Sequence, residues 1–125
     1  MNRMWLIVGL GGFLGSVARY LTAFQLTKWF PSAFPWGTFV VNVVGCLLIG
    51  LVYGCAERFQ WSTPALRLFL ATGFCGGFTT FSSFAFENVQ LIQTGSFGVL
   101  AAYTAASIVL GLGFATLGSF IATLQ

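Results

Sequence analysis

Four runs of about twenty or more mostly apolar residues fill almost the entire chain, and each is long enough to cross the hydrocarbon core of a bilayer as an α-helix. Bounded by polar or aromatic anchors, these windows run from about residues 5 to 25, 37 to 56, 66 to 92 and 97 to 124. In hydrocarbon every backbone N–H and C=O needs an internal partner, and a helix supplies nearly all of them. The expectation is a single all-α integral membrane domain over residues 1–125, with four transmembrane helices. Composition argues against a water-soluble fold, since 58% of the residues are hydrophobic and 6% are charged, too little polarity to face water on all sides. Fifteen Phe, four Trp and three Tyr exceed what so small a core can hide, so membrane lipid must cover much of the aromatic surface.

The connectors carry ordinary breaker chemistry: residues 28–36 with Pro31 and Pro35, residues 57–65 with Pro64, and residues 93–96 around Gly95. None is long enough to fold by itself. The first helix is expected to be retained, because it is long for a signal peptide, holds Arg19 and precedes no convincing small-residue cleavage site.

Several function classes are excluded early. The net charge of +3 comes from five scattered basic residues rather than from a cluster, so no nucleic-acid footprint is present. Histidine is absent, which removes the usual metal ligand and the usual general base. Cys46, Cys55 and Cys75 lie in apolar stretches and are odd in number, so they read as packing residues rather than as a disulfide framework. No nucleophile, base or metal set remains for an enzyme.

Orientation is weakly specified. Arg3, Arg58 and Arg67 fall on one side of the four-helix topology, and Lys28 with Arg19 on the other. So even a distribution lets a chain insert both ways, and two opposite copies could then pair about an axis in the membrane plane; the alternative is one topology set by another signal. Small residues at helical spacing, Gly11 and Gly15, Gly12 and Ser16, Gly50 and Gly54, Ala102 and Ala106, Ser107 and Gly111, predict close helix–helix approach.

The third window carries the most chemical information. Gly76-Gly77 followed by Phe78-Thr79-Thr80 is expected to break the helix at mid-membrane, near residues 76–80, because glycine and threonine are poor helix formers. Carbonyls ending the first half could bind a hard cation, and amides opening the second half could favour an anion. A glycine kink for packing is the alternative. Beyond it, Phe81 and Phe84 share a helix face; they either pack or point the positive ring edge at a small anion. Thr38 and Asn42 lie on one face of the second helix, and Tyr103 and Ser107 on one face of the fourth. Such hydroxyl and amide donors are what a strongly hydrated anion requires when it leaves its water, although Asn42 could equally be interhelical glue. Arg19 and Glu87 are the ionisable residues nearest membrane depth, or else they reach the headgroups.

The string Gly76-Gly77-Phe78-Thr79-Thr80-Phe81-Ser82-Ser83-Phe84, with Gly37-Thr38-Phe39-Val40-Val41-Asn42 upstream and Gly15-Ser16-Val17-Ala18-Arg19-Tyr20 near the start, resembles the Fluc (CrcB) bacterial fluoride channels over essentially the whole chain. The resemblance implies an antiparallel, dual-topology homodimer in the bacterial inner membrane, with two pores that pass fluoride passively out of the cell and so lower its toxicity. It also implies a structural sodium ion at the dimer centre, held but not transported, with Gly76 and Thr79 lending backbone carbonyls. By position, Phe81 and Phe84 are the pore aromatics and Asn42 the pore amide. Thr38, Tyr103 and Ser107 match the polar track, and Arg19 and Glu87 match positions near the vestibules. Gly111 departs from members that carry a hydroxyl there, which leaves the far end of the track open. A small dual-topology multidrug exporter has a similar size, but it needs a carboxylate deep in its first helix, where this chain has none. A non-catalytic scaffold subunit would need neither the break nor the donor faces.

Overall fold

The computed structural model of the chain describes residues 3–59 and 63–124. Helix α1 is Met4–Trp29 and α2 is Trp36–Phe59. The third span is composite: α3, Pro64–Arg67; a π-helical stretch, Leu68–Cys75; one turn, α4, Gly76–Phe78; and α5, Phe81–Gln93. Helix α6 is Phe97–Thr123. Four segments, Met4–Trp29, Trp36–Arg58, Pro64–Gln93 and Phe97–Thr123, are long and apolar enough to cross a membrane, and among the described residues every regular element is helical.

Local chemistry accounts for the ends. Helix α1 continues to Trp29 rather than stopping near residue 25, because nothing before Pro31 interrupts it and Lys28 sits favourably in the last turn, against the negative end of the helix dipole. The third span opens where Thr63 Oγ1 accepts the Leu66 amide at 3.1 Å and Pro64 takes the first helical position, which wastes no hydrogen bond there. Residues 60–62 of the preceding connector lie outside the described residues. Between α5 and α6, Gly95 turns with φ 73°. The Ser96 amide donates to Leu91 O at 2.8 Å and the Gly95 amide to Ile92 O at 3.1 Å, a Schellman closure that a Cβ at residue 95 would strain.

The helices pack as two parallel pairs, α1 with the first half of the third span and α2 with α6. Small residues set both contacts. A Cβ on Gly50 would meet the Ala115 carbonyl and the Ser119 amide, and one on Gly118 would meet the Leu47 carbonyl, so the α2 and α6 backbones touch. Gly11 and Gly15 do the same for α1 against Phe69, Gly73 and Phe74. Of the other expected pairs, Gly54 also lies against α6, beside Ala122 and Ser119, whereas Ala102 is exposed. Large apolar side chains point outward instead, with Phe13 65% and Leu112 68% exposed, as hydrocarbon solvent permits. We expect Gly50→Leu to cost more than the roughly 1–3 kcal/mol usual for overpacking, because backbone rather than a movable side chain stands in the way. In detergent it should lose the monodisperse peak on size-exclusion chromatography. Gly9→Ala, where a Cβ meets nothing within 4 Å, should elute and melt like the wild type.

Candidate functional site at the bend of the third span

Two extended residues separate α4 from α5: Thr79 has φ −90° and ψ 159°, and Thr80 has φ −152° and ψ 118°. This bend removes helical hydrogen bonds, and other partners replace several of them. The Thr80 amide, which a continuous helix would direct to Gly76 O, donates to Asn42 Oδ1 at 2.8 Å, and Asn42 Nδ2 donates back to Thr80 O at 3.1 Å. The Gly77 carbonyl, which would have accepted from the Phe81 amide, accepts from Arg19 Nε at 2.9 Å. Thr80 also caps α5, its hydroxyl accepting the Ser83 amide at 3.2 Å. Thr79 Oγ1 turns back to Cys75 O at 2.9 Å, which also accepts the Thr79 amide at 3.0 Å. Among the described residues no donor from another element reaches Gly76 O or Thr79 O.

Around the bend lies a cavity of about 450 Å³ lined by Asn42, Cys46, Gly76, Thr79, Phe81, Phe84 and Ser107, with other apolar neighbours. Six of the ten residues singled out in the sequence therefore meet at one place. The Phe81 and Phe84 rings have centroids 5.8 Å apart and planes at 40°, and Phe84 leans on Tyr103 at 5.0 Å and 53°. Phe81 is 79% exposed, which is unusual for a residue that only fills a core. Ser107 Oγ is buried and has no hydrogen-bond partner among the described residues, a costly state for a hydroxyl.

A second polar group closes the other end of this row. Glu87 accepts from Thr38 Oγ1 at 2.7 Å and from Tyr103 Oη at 2.8 Å, one bond on each carboxylate oxygen. Tyr103 and Val41 are fully buried, and Thr38 is 7% exposed. Thr38 and Glu87 border a cavity of about 430 Å³ under the connector after α1, with Phe34, Trp36 and Gln90. Phe34 sets its ring edge-on to Tyr103, with centroids 5.4 Å apart and planes at 73°. Tyr103 thus links the two cavities, touching Phe84 with its ring and Glu87 with its hydroxyl.

Sequence reasoning missed three participants. Thr80 was legible, since threonine is a favoured N-cap. The Gly77 carbonyl and the Phe34 ring gave no local signal, because each is recruited by a helix distant in the chain. Gly111 is buried against Cys46 Sγ.

The model of the family described as "CrcB-like protein, Camphor Resistance (CrcB)" matches residues 6–119. The chain belongs to this CrcB-like family. Curated relatives of this CrcB-like chain carry the name fluoride-specific ion channel FluC. The Flavobacterium psychrophilum protein is 47% identical over 115 residues, covering 92% of this chain and 93% of its own. The Bacteroides fragilis protein is 47% identical over 115 residues and 90% of each chain, and that of Nitrobacter winogradskyi is 49% identical over 109 residues and 86% of each. With four apolar spans, this CrcB-like chain is a multi-pass membrane protein.

Proposed function

We propose that this CrcB-like protein is a fluoride channel whose pore runs past the bend of the third span. The name shared by relatives 47–49% identical to it supports the ion, and the geometry supports the route. One observation carries the route: Ser107, whose hydroxyl is buried and without a partner among the described residues, lines the same cavity as Phe81, Phe84 and Asn42. An anion that has shed water needs such a donor, and among the described residues this hydroxyl is committed to no other group. Asn42 retains a second Nδ2 hydrogen beyond the one given to Thr80 O. The bend also opens the N-terminus of the 13-residue α5, whose first amides carry partial positive charge toward the cavity region. From there Phe84 and Tyr103 lead to Thr38 and Glu87, and passage down the fluoride gradient out of the cell would lower its toxicity inside.

The bend has a second role in this reading, as a true interruption of the helix that serves a structural sodium. Among the described residues no group of three or more Cys, Asp or Glu gathers to hold a metal, so a cation would be bound by backbone oxygen, which suits a hard ion. Gly76 and Thr79 fit that need: their carbonyls flank the bend, and Gly76 is exposed, open to a second copy. Bound there, sodium would offset the carbonyl dipoles that the bend leaves unpaired. In an antiparallel homodimer, Gly76 and Thr79 of each copy would share it, and the outward apolar side chains would divide between partner and lipid.

Reconstituted liposomes loaded with fluoride test the proposal. Efflux read by a fluoride electrode should rise by orders of magnitude over protein-free vesicles, while chloride efflux under the same voltage should stay at background. Equal fluoride release with and without protein would overturn it.

A further inference from the structure

Arg19 stands out among the charged residues. It is half-buried on α1 and forms no salt bridge among the described residues; the hydrogen bond found for it is the one to Gly77 O, at 2.9 Å. Within a membrane span a guanidinium is costly, so its partner is informative. Gly77 lies tightly against α1: a Cβ there would stand 2.6 Å from Gly12 O and 3.1 Å from the Ser16 amide. Arg19 is three residues beyond Ser16, on the same face, and its long side chain reaches back to the carbonyl. That carbonyl belongs to the last turn before the bend, the negative end of a helix dipole, where a cation is favoured.

We propose that Arg19 is a positioning residue for the bend, its guanidinium capping Gly77 O, so that this carbonyl is withheld from sodium while those of Gly76 and Thr79 are left to ligate. The inference rests on the sodium reading for its second half only. Without the cap, Gly77 O has no donor, and the chain can relieve this by re-forming the helix through residues 78–81, which rotates the neighbouring carbonyls and frees the Thr80 amide from Asn42.

Two measurements on the purified full-length protein test it. Hydrogen–deuterium exchange of the peptide holding residues 76–84 should be altered about tenfold or more in Arg19→Met and little in Arg19→Lys, which keeps charge, length and donor. Thermal stability in detergent, titrated with sodium against a choline background, reports ion binding without any flux. The sodium concentration giving half of the stabilisation should rise about tenfold in Arg19→Met and less than about threefold in Arg19→Lys. Should Arg19→Met not be recoverable, Arg19→Leu, which also lacks a donor, carries the same comparison. Unchanged exchange in the donor-free variant overturns the cap. If instead wild-type stability ignores sodium, the sodium reading fails and the exchange data alone decide on the cap. If wild type responds to sodium, exchange changes, and the sodium midpoint does not move, the carbonyl-selection half is overturned.

Discussion

Phe81→Leu and Phe84→Leu are each expected to give a folded protein that passes fluoride at least about 100-fold more slowly than wild type, equivalent to roughly 2.7 kcal/mol in the barrier. Leucine keeps the residue apolar and loses modest volume, so packing alone predicts a small effect. Phe81 has little packing to lose, being 79% exposed. What the substitution removes is the ring edge, the positive part of an otherwise apolar group. A partly dehydrated anion passing the cavity would lose its contact, and nothing in a leucine replaces it. Phe84 has a second role, since it stacks at a tilt on Tyr103, 5.0 Å away, and its loss would also loosen the hydroxyl that holds Glu87. Thermal unfolding near the wild-type midpoint together with wild-type efflux in both variants would move the pore to another face.

Asn42→Asp should be the more severe change, abolishing efflux at neutral pH. The amide makes a matched pair with Thr80, donating at 3.1 Å and accepting at 2.8 Å. An ionised aspartate still accepts from the Thr80 amide, but it sets an oxygen against the Thr80 carbonyl oxygen, where a donor stood. The lost bond and the repulsion cost about 1–3 kcal/mol at the bend. The new negative charge also faces the proposed anion route, where low dielectric magnifies repulsion. Two effects of the same sign act at one residue. Asn42→Ser, small and neutral, separates them: it leaves the bend poorly braced without adding charge, and should retain measurable efflux. Equal loss in both variants would assign the whole effect to bracing, and full activity in Asn42→Asp would remove Asn42 from the route.

The pairing of Asn42 with Thr80 joins two readings that the sequence left as rivals. The side chain is interhelical glue, tying α2 to the third span, and it keeps a donor hydrogen for the cavity as well. Arg19 carries a contact that its position in the chain did not specify: its Nε donates to the Gly77 carbonyl. Glu87, the one acidic residue in the third span, is satisfied by hydroxyls from two other helices, Thr38 and Tyr103.

What the sequence determined by itself was everything that depends on short-range chemistry. Apolar runs of membrane-spanning length define the four spans, Pro31, Pro64 and Gly95 mark their limits, and the Gly-Gly-Phe-Thr-Thr string locates the bend, because each of these acts within a few residues along the chain. Partner choice was beyond its reach. That Arg19 meets Gly77 and Asn42 meets Thr80 depends on the register between residues 58 and 38 apart in the chain, and the lack of a partner for Ser107 Oγ among the described residues depends on register too. Only the tertiary structure decides that register, through backbone contacts at Gly11, Gly15, Gly50 and Gly118. A shift of one helical turn, about 5.4 Å, would carry the Arg19 and Asn42 side chains beyond hydrogen-bond distance of Gly77 and Thr80.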